Sequence, residues 1–122
     1  MNETVKKQAY GVCETLYNKK AQDIVAIHVA DKTILADWFV ICSGHVPSQV
    51  KALSDELDEK AGELGLTLLR QEGYAEGRWI VKDYGDVLVH LFLPDERRFY
   101  EVERLWDEDN RAVQYSKERD EA

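Results

Sequence analysis

The sequence predicts an α/β (α+β) fold, a mixed five-stranded sheet with flanking helices. Three observations carry that expectation. Two apolar stripes recur at helical spacing, Val5, Ala9, Val12, Leu16 and then Val50, Leu53, Leu57, Ala61, Leu64. Residues 35–44, L-A-D-W-F-V-I-C-S-G, are almost continuously apolar, as in a central strand buried on both faces. Residues 79–83 and 87–93 are rich in aromatic and β-branched side chains and flank Tyr84-Gly85, which reads as a hairpin. The order is helix, strand, strand, helix, three strands, helix, a layered sheet with helices upon it.

The first helix spans residues 2–18, with Asn2 as N-cap and Lys19-Lys20 at the negative end of its dipole. Residues 23–29, D-I-V-A-I-H-V, form a strand with Ile24, Ala26 and His28 opposite Val25, Ile27 and Val29. Asp31-Lys32 marks a turn into the central strand. Ser43-Gly44 closes that strand, and Pro47 opens the second helix where its missing N–H costs little. Asp55, Glu56, Asp58, Glu59 and Glu63 fall mainly off the buried stripe and read as a solvated face. Gly65 caps the helix, and residues 66–70 are a third strand near an edge.

A Tyr84-Gly85 loop sets Asp83 against Asp86, Val81 against Leu88 and Trp79 against His90. One hairpin face then carries Trp79, Val81, Asp83, Asp86, Leu88, His90 and Phe92, the other Ile80, Lys82, Val87, Val89 and Leu91. Neither is a clean polar surface, so the Trp79 face is either covered by the chain or binds something. After Pro94, with Asp95 as N-cap, a last helix turns Phe99, Val102 and Trp106 to the core with Leu105 beside them, Tyr100 and Glu103 on its flank. Residues 1–106 make a single domain. Residues 107–122 are polar, without sustained period, and read as a disordered acidic tail.

Composition narrows the function. At 122 residues, 44% hydrophobic and 33% charged, the chain suits one globular domain. No apolar run approaches the roughly 18 residues of a membrane span, and the N-terminus lacks a secretory apolar segment. Cys13 and Cys42 fit no metal spacing and read as buried reduced thiols, which points to the cytoplasm. With 16 Lys and Arg against 24 Asp and Glu, net charge −8, direct nucleic-acid binding and anionic membranes are disfavoured and a basic protein partner is favoured.

No catalytic reading holds. His28, His45 and His90 lie in separate segments without ligand spacing, so no metal is expected. Cys42 sits in an apolar strand that makes a thiolate costly. Ser43-Gly44 before a helix suits an anion, but no D-x-D follows to hold Mg²⁺, and Asp83 and Asp86 sit at a hairpin turn. No phosphate loop, nucleophile elbow or zinc signature is present, so neither enzyme activity nor a cofactor is expected.

The pieces resemble the ribosomal silencing factor family (RsfS; Iojap-related, YbeB-like). The matching residues are Asp23-Ile24, L-A-D-W-F-V-I-C-S-G from Leu35, Q-V-K-A from Gln49, R-W-I-V-K-D-Y-G-D-V-L-V-H-L-F from Arg78 and R-R-F-Y-E-V-E-R-L-W from Arg97. The resemblance covers about residues 5–106. It implies a nucleotidyltransferase-like fold without the catalytic carboxylates. It further implies a translational repressor that binds the large ribosomal subunit through its basic ribosomal protein number fourteen. Such a factor sterically blocks small-subunit joining and lowers translation under nutrient limitation. One departure stands out: relatives that read S-G-T-S-x-R-Q-V have a Ser cap and an Arg where this chain has Val46 and Ser48.

On that reading the partner-binding face is Trp79, Leu88 and His90, with Asp83, Tyr84 and Tyr100 at its margin, and Asp83, Asp86 and Glu103 pairing with the partner's Lys or Arg. The competing account packs Trp79 and Phe92 under a helix and makes His90 a hydrogen-bonded core residue. A homodimeric adaptor using the same apolar face, or a nucleotide-binding protein, are the alternative functions.

Overall fold

A computed structural model describes residues 2–107 and 110–116. Helix α1 (Glu3–Asn18) begins at Asn2, whose side chain accepts from the Thr4 and Val5 N–H groups. This is the cap the sequence predicts. Helix α2 (Pro47–Leu64) begins at Val46 without a side-chain cap and ends at Gly65 in the left-handed region. Gln49 Oε1 accepts from the His45 N–H at 2.6 Å, which fixes the residue before the cap and leaves the first-turn N–H groups without a side-chain acceptor. Strands β1 (Gln22–His28), β4 (Trp79–Asp83) and β5 (Val87–Phe92) fall within a residue of where expected, whereas β2 (Trp38–Ser43) is shorter than residues 35–44 and leaves Leu35 exposed outside it. Strand β3 is Arg70–Glu72, later than residues 66–70.

The mixed α/β class holds, but the sheet has six strands rather than five, ordered β3-β4-β5-β2-β1-β6. The addition, β6 (Val113–Gln114), lies in the segment read as a tail and pairs antiparallel with β1. The Tyr115 N–H bonds the Ile24 carbonyl at 2.8 Å, and Arg111 pairs with Asp31 at 2.9 Å. A polar segment can hold an edge strand through main-chain bonds without an apolar stripe. The tail expectation is therefore corrected over residues 110–116. Of its other positions, Asp107 caps the last helix, and 108, 109 and 117–122 lie outside the described residues.

Strands β2 and β5 run parallel at the centre, every residue of both buried, and their other neighbours are antiparallel. One face of the sheet packs Ile24, Ala26, Trp38, Val40, Cys42, Ile80, Val87, Val89 and Leu91 under α1 and α2. The opposite face gathers Val25, Ile27, Val29, Phe39, Ile41, Leu88 and Phe92, with Trp79, Val102 and Trp106 against it. Burial pushes the Cys42 thiol up to about 12, keeping it a neutral packing group.

Two local expectations are corrected. The hairpin loop is Gly85-Asp86, closed by the Tyr84 N–H on the Val87 carbonyl at 3.0 Å. Asp83 therefore faces Leu88, Val81 faces His90 and Trp79 faces Phe92. Gly85, at φ +88, stands where a two-residue loop of this kind calls for a positive φ. The last helix is two: α3 (Pro94–Tyr100) and α4 (Val102–Trp106), separated by Glu101 at φ 48, ψ 46. Leu93, not Asp95, is the N-cap of α3. Asp95 sits in the first turn and pairs with Arg98.

Candidate partner-binding site

The break at Glu101 shapes the surface. In one continuous helix Phe99, Val102 and Trp106 would share a stripe; the left-handed residue rotates α4 out of phase with α3. Val102 and Trp106 still pack on the sheet, with Trp106 5.3 Å edge-on to Phe39. Phe99 turns outward, 72% exposed, with Tyr100 at 54% and Leu105 at 67%. The core assignment of Phe99 and Leu105 is thus corrected. Arg97 holds the break: its guanidinium forks onto Glu103 at 2.6 and 2.8 Å and donates to Ser43 Oγ at 2.9 Å.

Beneath this patch the aromatic rings form a connected stack. Trp79, half-buried, lies 4.9 Å from Phe92 and 4.7 Å from Tyr100. Its Nε1–H donates to His90 Nδ1 at 3.1 Å. His90 is stacked on Phe92 at 5.9 Å and edge-on to Phe39 at 5.4 Å. Burial pulls the His90 pKa down to about 4, so the imidazole is neutral. The main chain is close-fitted here too: a Cβ on Gly73, at φ +85, would meet the Trp79 carbonyl oxygen at 2.0 Å. Shallow hollows flank Tyr100, one lined by Glu101, Arg104 and Leu105, the other by Asp95, Glu96 and Phe99.

The structure gathers three of the predicted site residues, Trp79, His90 and Tyr100, and separates the others; His90, only 8% exposed and hydrogen-bonded to Trp79, is corrected from a partner contact to the core residue of the competing account. Leu88 is on the same sheet face but buried. Asp83 ends β4, four residues and about 13 Å along the strand from Trp79. Its Oδ1 accepts from the Gly85 N–H at 2.8 Å. Asp86 is exposed in the turn. Glu103 is engaged by Arg97. Tyr84 faces the other way, buried against the α2 side, its hydroxyl 3.4 Å from Asp58 Oδ1 and its pKa raised by burial and that carboxylate. Phe99 and Leu105, which helical periodicity alone assigns to the core, lie on the exposed patch, and Phe92 and Arg97 support it from beneath.

Elsewhere, the acids of α2 are less idle than a solvated face. Lys82 is fully buried, and its ammonium bonds Asp58 Oδ1 at 2.7 Å, Ser54 Oγ at 3.0 Å and Gln71 Oε1. Asp55 accepts from the Tyr74 hydroxyl at 3.0 Å, and Glu56 lies 3.7 Å from Lys19. Beside Ser43 a cleft of about 560 Å³ is lined by Arg97, Arg98 and Arg104. Each of these meets a carboxylate, Glu103, Asp95 and Glu101 respectively. Among the described residues no group of three or more His, Cys, Asp or Glu is placed to hold a metal ion.

Fold and surface together define a class, a small mixed-sheet α/β protein presenting an aromatic patch on a propped tryptophan. Comparison with known proteins narrows this to one family. The family described as ribosomal silencing factor during starvation, RsfS, matches residues 2–122. A ribosomal silencing factor RsfS of Bacillus subtilis is 39% identical over 107 residues, covering 87% of this chain and 88% of its own. That of Halalkalibacterium halodurans is 44% identical over 89 residues, covering 73% and 76%. A crystal structure of a Chromobacterium violaceum protein superposes with a TM-score of 0.81 at 32% identity, covering 87% of each chain. The chain belongs to the ribosomal silencing factor family.

Proposed function

We propose that this protein is a cytoplasmic translational repressor acting by occupancy rather than chemistry. It binds the large ribosomal subunit through the basic ribosomal protein number fourteen and blocks joining of the small subunit, lowering translation under nutrient limitation. The observation that carries the reading is the outward cluster Phe99, Tyr100 and Leu105 seated on Trp79, in a chain of net charge −8. Exposed aromatic anchors over a rigid floor are what a protein interface requires, and the acidic charge favours a basic partner. Asp83 and Asp86 lie at the far end of the same hairpin, within the span of one ordinary interface, and supply carboxylates for that partner.

Sucrose gradients of purified subunits test this. Added protein is expected to comigrate with free large subunits and to reduce assembled ribosomes when small subunits are supplied. Full assembly in the presence of saturating protein overturns the reading. A second copy of the chain would also suit an exposed apolar patch. Sedimentation at several protein concentrations, with and without large subunits, distinguishes a homodimer that dissociates on binding from an adaptor that ignores ribosomes.

A further inference from the structure

We propose that His90 is a positioning residue: it does not touch the partner but fixes the Trp79 indole, and through it the Tyr100 patch, in the pose that binds. The inference rests on the reading of that patch as the ribosome-facing surface.

His90 is only 8% exposed, on a central strand, with Phe92 against one face of its ring and Phe39 edge-on. A partner has little of it to reach. An indole N–H is a donor only, so the 3.1 Å contact with Trp79 Nε1 requires His90 Nδ1 to be the unprotonated acceptor and Nε2 to carry the proton. The neutral ring that burial enforces meets that requirement. Trp79 in turn is stacked on Phe92 and in tilted contact with Tyr100, and Tyr100 lies 5.0 Å edge-on to Phe99. An unbroken line of contacts therefore leads from a sealed strand to the exposed patch. The hydrogen bond selects between two indole orientations that ring stacking alone leaves similar, because turning the ring over carries Nε1 away from His90. Ordering an interface side chain before encounter removes a cost otherwise met on binding, and for one side chain this is worth about threefold to tenfold in affinity.

Two measurements test it. In the unaltered protein, nitrogen-detected NMR is expected to show His90 in the Nε2–H tautomer and the Trp79 indole N–H slowed in exchange. A proton on Nδ1 overturns the proposal without any variant having to fold. Affinity for purified large subunits is then compared for His90→Phe, which keeps a ring but no acceptor, and His90→Asn, which keeps an oxygen near the Nδ1 position. His90→Phe is expected to lose about threefold to tenfold, with its Trp79 indole resonance displaced, and His90→Asn to recover most of the loss. Equal binding by His90→Phe and the unaltered protein overturns the positioning role. Tyr100→Ala serves as the control. If it too binds fully, the patch reading and this proposal fail together; if it loses binding while His90→Phe does not, only the positioning role fails.

Discussion

The β4–β5 hairpin is covered on both sides by different materials. Beneath α2, Lys82 extends into a polar network with Asp58, Ser54 and Gln71 that opens to solvent at Asp58, with Tyr84 alongside. On the opposite side Trp79, His90 and Phe92 form a ring stack that α3 and α4 cover incompletely, leaving Phe99, Tyr100 and Leu105 outside. Both faces contain one polar group held by geometry, an ammonium on one and an imidazole on the other. Their energetic situations differ. The ammonium is charged and must be paired; the imidazole escapes the problem by staying neutral. The first face therefore devotes its polar group to stability, whereas the second holds rings in place for a surface. Changes to the α2 side should cost folding and leave binding alone, and changes to the outer patch should do the reverse.

The largest effect is expected on the α2 side. Lys82 has no exposed side-chain surface, while the Asp58 side chain is 44% exposed. Asp58→Ala strands a buried cation and should cost roughly 3 kcal/mol, the low end for a broken buried pair because water can approach from the Asp58 side. Lys82→Met removes the cation itself and leaves a carboxylate that can turn to solvent, so it should cost under about 1 kcal/mol. Urea unfolding of both variants checks the ordering. Asp58→Ala milder than Lys82→Met would mean the pair is not what holds this face together.

Acid should act on the ring side next. The His90 pKa falls from 6.5 to about 4 on folding, because burial disfavours the imidazolium. Between those values the unfolded chain binds a proton that the folded chain refuses, so stability falls as pH drops from 6.5 to 4 and levels off below the folded value. A lowering of that size corresponds to a loss on the order of 3 kcal/mol at most, less if water enters the stack on acidification. His90→Asn, with nothing to titrate there, should flatten that part of the curve. Urea midpoints collected across this range for both proteins give the comparison; parallel curves would remove His90 as the acid-sensitive group.

How much of this was legible in the residues follows from which forces act locally. Strand parity is local, and it assigned Trp79, His90 and Phe92 to one face and Ile80, Lys82 and Val89 to the other correctly. It does so although the sequence places the loop one residue early, because moving a two-residue loop by one shifts the pairing by two and leaves every side chain on its own face. Tyr84 is where that slip matters: once it joins the strand it falls on the Lys82 side, away from the site. The partners of Lys82 lie 11, 24 and 28 residues away, and no pattern along the chain announces them. Nor does F-Y-E-V-E contain a glycine or proline to warn that Glu101 adopts a left-handed conformation. That one residue decides that Phe99 and Leu105 are outside, so the most exposed part of the candidate site was the part periodicity hid.

The smallest stability effect belongs to the outer patch, and it separates the two faces most sharply. Tyr100 is over half exposed and touches Trp79 and Phe99 by its ring. Tyr100→Ala removes those ring contacts without opening a sealed cavity, so its cost to folding should stay near roughly 0.5 to 1 kcal/mol, the worth of an aromatic pair. Its cost to binding should be larger, about tenfold or more in affinity for large subunits, because an anchor at the centre of an interface contributes far more than its exposed area suggests. Thermal unfolding together with cosedimentation reads both quantities on one sample. A variant that unfolds early yet binds fully would turn the assignment around, making Tyr100 a lid over Trp79 and moving the contact surface elsewhere on the sheet. Preserved folding with lost binding keeps the division intact: the ammonium side for holding the hairpin, the ring side for meeting a partner.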